Sequence, residues 1–255
     1  MTDINLDDDG SLAQPHHDAQ NTIRLARRVA TLAACSRLDA ERYIVAGWVS
    51  VDGDVVESPQ HRVTHHSAVA INPAAKLAPI EHVTILTHQA VNALDAKLSI
   101  TLANHAAEDT SDIHPLKHHF SHHTLALPLQ PGASGLIILS QDQRILRKLI
   151  EDAARVEQEY IVDVAGREAM PAHGMKQLNF ALRIDGRTLP EAKVSWQNET
   201  KLRIAAKDLQ EGQIAYMCEM VGLELIAMKR IRVGSISMGK LALGQWRYLP
   251  PGQKF

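Results

Sequence analysis

The chain has few of the residues that mark secreted, metal-bound or membrane proteins. Its 255 residues include only two cysteines, Cys35 and Cys218, which are far apart and have no metal-ligand partners near them. This scarcity excludes a disulfide framework and a cysteine-based metal site, and favours free thiols in a reducing compartment. No apolar run approaches the roughly 18 residues of a membrane-spanning helix, so no membrane partner is expected.

Residues 1–21 contain no lysine or arginine but five aspartates. Signal and transit peptides need basic residues, so this composition excludes both and predicts a disordered acidic tail on a cytoplasmic protein. Without this segment the chain has 27 basic and 24 acidic side chains, a net charge of +3 instead of −2. Five arginines fall between Arg24 and Arg42, but on charge alone a solvated helix face is favoured over a polyanion site.

Local patterns predict a small helical module at the start of the chain. Residues 22–44 have apolar residues at helical spacing, and Ser36 can cap a second helix over about 38–46 that stops at Gly47. Residues 48–56 alternate around an Asp-Gly turn, which is typical of a hairpin. The predicted domains are the tail at 1–21, this module at 22–66, a proline-containing linker at 67–79, a larger domain at 80–250 and a tail at 251–255.

The larger domain is predicted as a mixture of strands and helices. Short apolar runs occur at 83–86 and 98–102. Strands are expected at 136–139, 160–164, 178–184, 192–196, 201–205, 223–228 and 229–233, and helices at 143–156 and 213–222. The predicted fold class is therefore α+β, with a helix-helix-hairpin module followed by a mainly antiparallel sheet flanked by helices.

The run from Pro128 to Leu139 reads PLQPGASGLIIL. It resembles the core motif of the RsuA-type rRNA pseudouridine synthases, in which Arg-Leu-Asp-x-x-Thr-Ser-Gly-Leu leads into an apolar strand. The resemblance implies the pseudouridine synthase fold and places the family's nucleophilic Asp at Gln130. A carboxamide cannot act as an anionic nucleophile or as an ionised acid or base.

Residues 23–53 carry a second resemblance, to the alpha-L RNA-binding domain first described in a ribosomal small-subunit protein. Residues 24–25 are Arg-Leu. The family pattern Ser-Arg-x-x-Ala-x-x-x-Ile occurs as Ser36-Arg37-Leu38-Asp39-Ala40-Glu41-Arg42-Tyr43-Ile44, and residues 47–53 read Gly-Trp-Val-Ser-Val-Asp-Gly. RsuA-type synthases carry this domain at their N-terminus, and arginine forks bind phosphate well. The residues expected to contact RNA are Arg24, Arg27, Arg28, Arg37 and Arg42, with Lys229 and Arg230 in the larger domain.

Other family positions also differ. Tyr160 matches the aromatic that stacks on the flipped base, although a core strand aromatic explains it as well, and Gln158 replaces a family Lys. Ala215 stands where the family has the Arg that pairs with the nucleophile, and the segment 87–91 lacks the family's Asn-Lys-Pro-x-Gly. The carboxylates considered as substitutes are Asp142, Glu157 and Glu159, and none is assigned to the pocket.

Histidine pairs are frequent between His114 and His123. Their spacing suits zinc, but a polar surface loop is favoured because no cysteine is near and Pro115 interrupts the run. No metal and no cofactor is therefore expected.

These observations favour a monomeric protein that binds structured RNA, either rRNA or a ribosomal particle, through a synthase fold whose active site is degenerate. Two alternatives stay open. The first is an active uridine-to-pseudouridine isomerase that uses another carboxylate, and the second is a protein-interaction scaffold that no longer meets RNA.

Overall fold

A computed structural model describes residues 22–77, 82–91, 100–184 and 186–255. The acidic segment 1–21 and residues 78–79 of the predicted linker lie outside the described residues. The chain divides into two compact units, one up to Glu81 and one from His82. In the part of the chain that the structure describes, no helix has the length and apolar character needed to cross a membrane.

The first unit combines two short helices with two small sheets. Its elements are β1 (Ile23–Arg24), α1 (Leu25–Leu32), α2 (Arg37–Val45), β2 (Val49–Val51), β3 (Asp54–Val55), β4 (Arg62–Val63) and β5 (Val69–Ile71). Leu25 and Val29 of α1 are buried against Ala40 and Ile44 of α2. Each large aliphatic side chain buried in this way contributes about 1.5–3 kcal/mol, so the unit has a core of its own.

The predicted Ser36 cap and Asp-Gly hairpin are present, and α2 lies at Arg37–Val45, one residue earlier than the predicted 38–46. The Ser36 hydroxyl accepts a hydrogen bond from the Asp39 main-chain N–H at 3.1 Å, which pairs a donor that the first turn leaves unsatisfied. Gly47, with φ of 72°, follows the end of α2. β2 and β3 pair antiparallel around the Asp-Gly turn. β5 also pairs with β2, so the small sheet extends into the segment predicted as linker.

The second unit is built on a nine-stranded mixed sheet. Its elements are β6 (Thr84–Gln89), β7 (Thr124–Ala126), β8 (Ala133–Ser140), α3 (Gln143–Leu146), β9 (Gln158–Ala165), α4 (Gly174–Leu178), β10 (Arg183–Ile184), β11 (Arg187–Thr188), β12 (Lys193–Trp196), β13 (Lys201–Ala206), α5 (Gln213–Met220), β14 (Glu224–Val233), β15 (Ile236–Ser237) and β16 (Trp246–Tyr248). The strand order is β12-β13-β9-β14-β8-β6-β16, with β15 on β14 and β7 on β8. The predicted α+β class is confirmed.

β9 has a different environment on each face, because successive side chains of a strand point in opposite directions. Tyr160, Val162 and Val164 lie in the core with side chains of α4 and α5. Glu159 and Asp163 alternate with them and form ion pairs with Arg203 and Lys201 of β13. The candidate pocket lies on the apolar face.

Several predicted elements differ from the structure. Leu178 ends α4 instead of starting a strand. β14 is one strand of 10 residues, and two register shifts break its alternation so that the sequence reads as two strands. The predicted helix at 143–156 is α3 followed by a π turn at Arg147–Glu151 and a 3-10 turn at Ala153–Arg155. Phe255, in the predicted tail, is buried in a core cluster.

Gly135 allows the parallel strands β8 and β14 to approach closely. It has φ of 116°, and a Cβ atom there would lie 2.3 Å from the Arg230 carbonyl oxygen. Any other residue would therefore force the two backbones apart. Gly135 of the motif therefore has a role in strand packing.

Candidate functional site

Gln130 lies in the turn that leads into β8, and its side chain is bound inside the second unit. The residue is 8% exposed. Its side-chain Nε2 donates to the Gln210 carbonyl oxygen at 2.9 Å, and its main-chain N–H donates to the Tyr160 hydroxyl at 3.4 Å. The remaining amide oxygen, Oε1, is buried and has no hydrogen-bond partner among the described residues. A neutral amide therefore occupies the position that the family motif assigns to a carboxylate nucleophile.

Tyr160 is completely buried in β9. Its ring belongs to the core cluster that includes Ile214 and Met217 of α5, and its hydroxyl donates to Gln158 Oε1 at 3.5 Å. This placement agrees with the core role that the sequence leaves open. Stacking needs an open ring face, so a base could reach Tyr160 only if the pocket opened.

Arg230 is the charged group of this pocket, although the sequence predicts it as an RNA contact. Its side chain is fully buried, so it cannot contact RNA phosphate in this conformation. Nε donates to the Leu136 carbonyl at 2.9 Å, and Nη1 donates to the Pro128 carbonyl at 3.0 Å and to Gln158 Oε1 at 2.8 Å. Burial lowers the pKa of the Arg230 guanidinium, and the neighbouring Tyr160 hydroxyl partly opposes that effect.

The family Lys would be unfavourable at position 158 in this chain. Gln158 is buried and supplies a neutral acceptor to Arg230. A lysine there would place a second cation beside a buried guanidinium, with no carboxylate at position 130 to balance either charge. Neutral side chains at both 130 and 158 therefore suit a pocket that already holds the Arg230 guanidinium.

α5 borders the pocket through the chain before it. Gln213 Oε1 accepts from the Gln210 main-chain N–H at 2.9 Å, and the Gln210 carbonyl accepts from Gln130. Ala215 is exposed on the outer side of α5, beside exposed Tyr216. Position 215 therefore supplies no charge to Gln130.

The carboxylates considered from the sequence do not bind Gln130. Asp142 caps α3 by accepting from the Arg144 main-chain N–H at 2.8 Å. Glu157 and Glu159 pair with Arg232 at 2.6 Å and 2.5 Å, and Glu159 lies on the face of β9 opposite Tyr160. Sequence reasoning missed Asp208, whose carboxylate accepts from Gln210 Nε2 at 3.1 Å. No motif marks this loop residue, which the fold brings near the pocket.

Five of the six arginines predicted to contact RNA lie in the first unit. Arg24, Arg27, Arg37 and Arg42 are exposed and Arg28 is partly exposed. A groove of about 500 Å³ is lined by Thr22, Ile23, Arg24, Arg27, Ala30 and Arg37. Arg42 lies outside this lining and pairs with Asp39 at 3.2 Å. The structure thus brings three of the five arginines to one groove.

Arg62 is a further basic residue that the sequence analysis missed. It lies in β4 directly opposite Arg24 of β1, and its Nη1 donates to the carbonyl and hydroxyl oxygens of Thr22, each at 3.2 Å. Its distance of 38 positions from Arg24 hides this pairing in the sequence. Like charges opposite each other in a sheet repel, so an anion nearby would stabilise the pair.

Lys229 and Arg230 point to opposite faces of β14. Lys229 is exposed, and it pairs in register with Ile161 of β9, whereas Arg230 pairs with Tyr160. Lys229 is therefore accessible to a polyanion, but it does not extend the Gln130 pocket.

The histidine-rich segment is more buried than a surface loop. His119 is buried and shares a hydrogen bond of 2.9 Å between its Nδ1 and the Tyr248 hydroxyl. Burial and the neighbouring histidines lower the pKa of His119 to about 4. Within the described residues, no group of three or more His, Cys, Asp or Glu side chains is arranged to hold a metal ion.

The chain resembles known proteins in sequence and in fold. No family model matches the chain. The chain is 24% identical over 229 residues to the dual-specificity RNA pseudouridine synthase RluF of Escherichia coli (strain K12), covering 90% of this chain and 76% of RluF. It is 26% identical over 238 residues to ribosomal large subunit pseudouridine synthase B of Bacillus subtilis (strain 168), covering 89% and 92%.

A crystal structure of a pseudouridylate synthase has the same fold, with a TM-score of 0.50 and 15% identity over 89% of this chain and 96% of that chain. The chain therefore has the fold of a pseudouridylate synthase. Over about nine-tenths of its length, the chain is thus similar in sequence to two RNA pseudouridine synthases, RluF of E. coli and synthase B of B. subtilis.

Proposed function

We propose that the protein binds structured RNA, most simply rRNA or a ribosomal particle, without isomerising uridine. The observation that carries the non-catalytic part is the buried amide of Gln130, hydrogen-bonded to Gln210, at the position that the motif resemblance aligns with the family nucleophile. Pseudouridine formation in this family needs a carboxylate there, and an amide cannot form the anion. The uncharged Ala215 and the buried ring of Tyr160 also support a pocket that does not catalyse the reaction.

The RNA-binding part rests on the groove of the first unit. Arg24 and Arg27 form no ion pair among the described residues, so their guanidinium groups are available to phosphate. Bidentate donation to phosphate gives affinity and position with little sequence information. Structured RNA fits this chemistry, because proteins read it largely by shape and backbone. We infer a cytoplasmic monomer as the binding form.

Tritium release tests the absence of catalysis. Forming pseudouridine replaces the C5–H bond of uracil, so rRNA labelled with tritium at C5 loses its label when the reaction occurs. We expect no release by this protein above the blank, with the B. subtilis relative as the positive control. Multiple turnovers by the unmodified protein would overturn the proposal.

If the protein is an active isomerase, Asp208 is the carboxylate to test, since it is hydrogen-bonded to Gln210 beside the pocket. If release is seen, Asp208→Asn decides whether this carboxylate is responsible. Asp142→Asn is the matched control, because Asp142 caps α3 and has no bond to the pocket.

RNA affinity tests the groove. The Arg24→Ala, Arg37→Ala double variant is expected to bind rRNA about tenfold or more weakly and to show a shallower dependence of affinity on salt, since two phosphate contacts are lost. The control is Arg144→Ala with Arg147→Ala, which removes the same charge from exposed positions on the second unit. Equal loss in both variants would make the effect one of net charge and remove the groove's role.

A further inference from the structure

The arginine groove of the first unit has an unusual neighbour in the chain. The segment 1–21 contains Asp3, Asp7, Asp8, Asp9 and Asp18 and no basic residue, and it joins the described chain at Thr22. Thr22 itself lines the groove with Arg24, Arg27 and Arg37. The most acidic stretch of the sequence is therefore covalently attached at the edge of a basic groove.

We infer that this acidic segment occupies the arginine groove of its own chain and competes there with RNA phosphate. The inference rests on the proposed RNA-binding function of the groove. It makes the segment a built-in competitor that weakens binding to any RNA whose phosphates cannot displace it.

The attachment point favours this occupant. Arg62 holds both the carbonyl and the hydroxyl of Thr22, so the place where the segment joins the groove is fixed. Asp18 is four positions before Thr22 and so lies within about 14 Å of it even in an extended chain. A competitor tethered this closely has an effective concentration on the order of millimolar without any second molecule.

Two of the three arginines that line the groove also lack an acidic partner within the described part of the first unit. Arg37 pairs with Glu41 and Arg42 with Asp39, but Arg24 and Arg27 have no acidic partner there, and Arg28 Nε is buried without a hydrogen bond. Arg24 also faces Arg62 across the strand pair. Aspartates would relieve this repulsion in the same way as phosphates, so the two ligands exclude each other.

Neutralising the segment should release the groove. We expect a variant with all five aspartates of the segment changed to asparagine to bind rRNA about fivefold more tightly at low salt, with the gain vanishing as salt screens the competition. The charge-matched control changes five exposed glutamates of the second unit to glutamine: Glu108, Glu168, Glu191, Glu199 and Glu224. Unchanged affinity in the asparagine variant, or an equal gain in the control, would overturn the inference.

The same measurements separate this inference from the proposed function. In the Arg24→Ala, Arg37→Ala background the five asparagines should give no gain, because the competitor has lost its site. If the arginine variant binds RNA as tightly as the unmodified protein, the proposed function fails. If the arginine variant loses affinity but the asparagine variant gains none, only the inference fails.

A measurement without RNA tests the contact itself. A nitroxide attached to Ser11→Cys in a Cys35→Ser chain should broaden the NMR signals of the Arg24 and Arg27 amides at low salt, and high salt should restore them. The five-asparagine variant, labelled at the same position, should show no such broadening. Broadening that is the same in both labelled proteins would contradict an electrostatic contact.

Discussion

Arg230 is a buried cation whose hydrogen-bond acceptors are all uncharged. Its partners are the carbonyl oxygens of Leu136 and Pro128 and the amide oxygen of Gln158. A buried charge with no opposite charge is costly, and neutral acceptors offset only part of that cost. The pocket is therefore sensitive to any change in the charge of its neighbours.

Gln158→Lys tests this sensitivity. We expect the substitution to lower the free energy of unfolding of the second unit by about 2–4 kcal/mol, because it places a second cation against the Arg230 guanidinium. Gln143→Lys, at an exposed position at the start of α3, should change it by less than about 0.5 kcal/mol. Denaturant unfolding gives both values.

Adding Gln130→Asp to Gln158→Lys should recover part of the loss, since a carboxylate would then balance the two cations. Strictly additive effects would show that position 130 is not coupled to 158. The sequence could place Gln130 in the motif, but not the guanidinium opposite it, because Arg230 lies 100 positions away in a strand that looks half exposed.

The two faces of β9 stabilise the fold in different ways. One face contributes Tyr160 and Val162 to the apolar core, and the other contributes Glu159 to ion pairs with Arg203 and Arg232. Burial opposes ionisation of Glu159, but the two arginines outweigh it and lower the pKa of its carboxyl. The carboxylate therefore stabilises the folded state when it is charged.

The stabilisation from Glu159 should depend on pH in a defined direction. Because its folded pKa is lowered, it is fully present above the unfolded pKa of about 4.3 and is lost as the pH falls through the folded value. The unmodified protein should thus lose about 1 kcal/mol more than Glu159→Gln between about pH 6 and pH 3, as measured by urea unfolding. If the stability of the two proteins changed equally with pH, the ion pairs of Glu159 would not stabilise the folded state.

Elements with strong local signals were predictable from the sequence. The Ser36 cap, the Asp-Gly hairpin and the apolar run of β8 all depend on neighbours within a few positions. The predictions were wrong where contacts with residues distant in the sequence determine the secondary structure. The bulges of β14 follow from its pairing with β9, and Leu178 is helical because it packs in the core below β9 and β12.

At the level of the whole molecule, each unit has a separate apolar core. Leu25 belongs to the cluster of the first unit and Leu202 to a cluster of the second, and both are completely buried. Units with separate cores can unfold in separate steps, in which case one overall free energy of unfolding is not defined.

Two leucine substitutions test this separation. Leu25→Ala and Leu202→Ala should each cost about 2–5 kcal/mol through lost burial and a cavity. In calorimetry, Leu25→Ala is expected to lower the temperature of one transition and Leu202→Ala that of another. A single transition that both variants shift together would show that the two units unfold as one.

The close approach at Gly135 limits what the Ser-Gly-Leu motif can tell about catalysis. The backbone of Arg230 leaves no room for a Cβ atom at this position, so the glycine is required for the sheet whether or not chemistry occurs beside it. A signature built on Ser-Gly-Leu therefore reports lineage and strand spacing. An enzymatic label assigned from that signature alone would therefore rest on strand spacing, whereas the residue at position 130 bears on the chemistry itself.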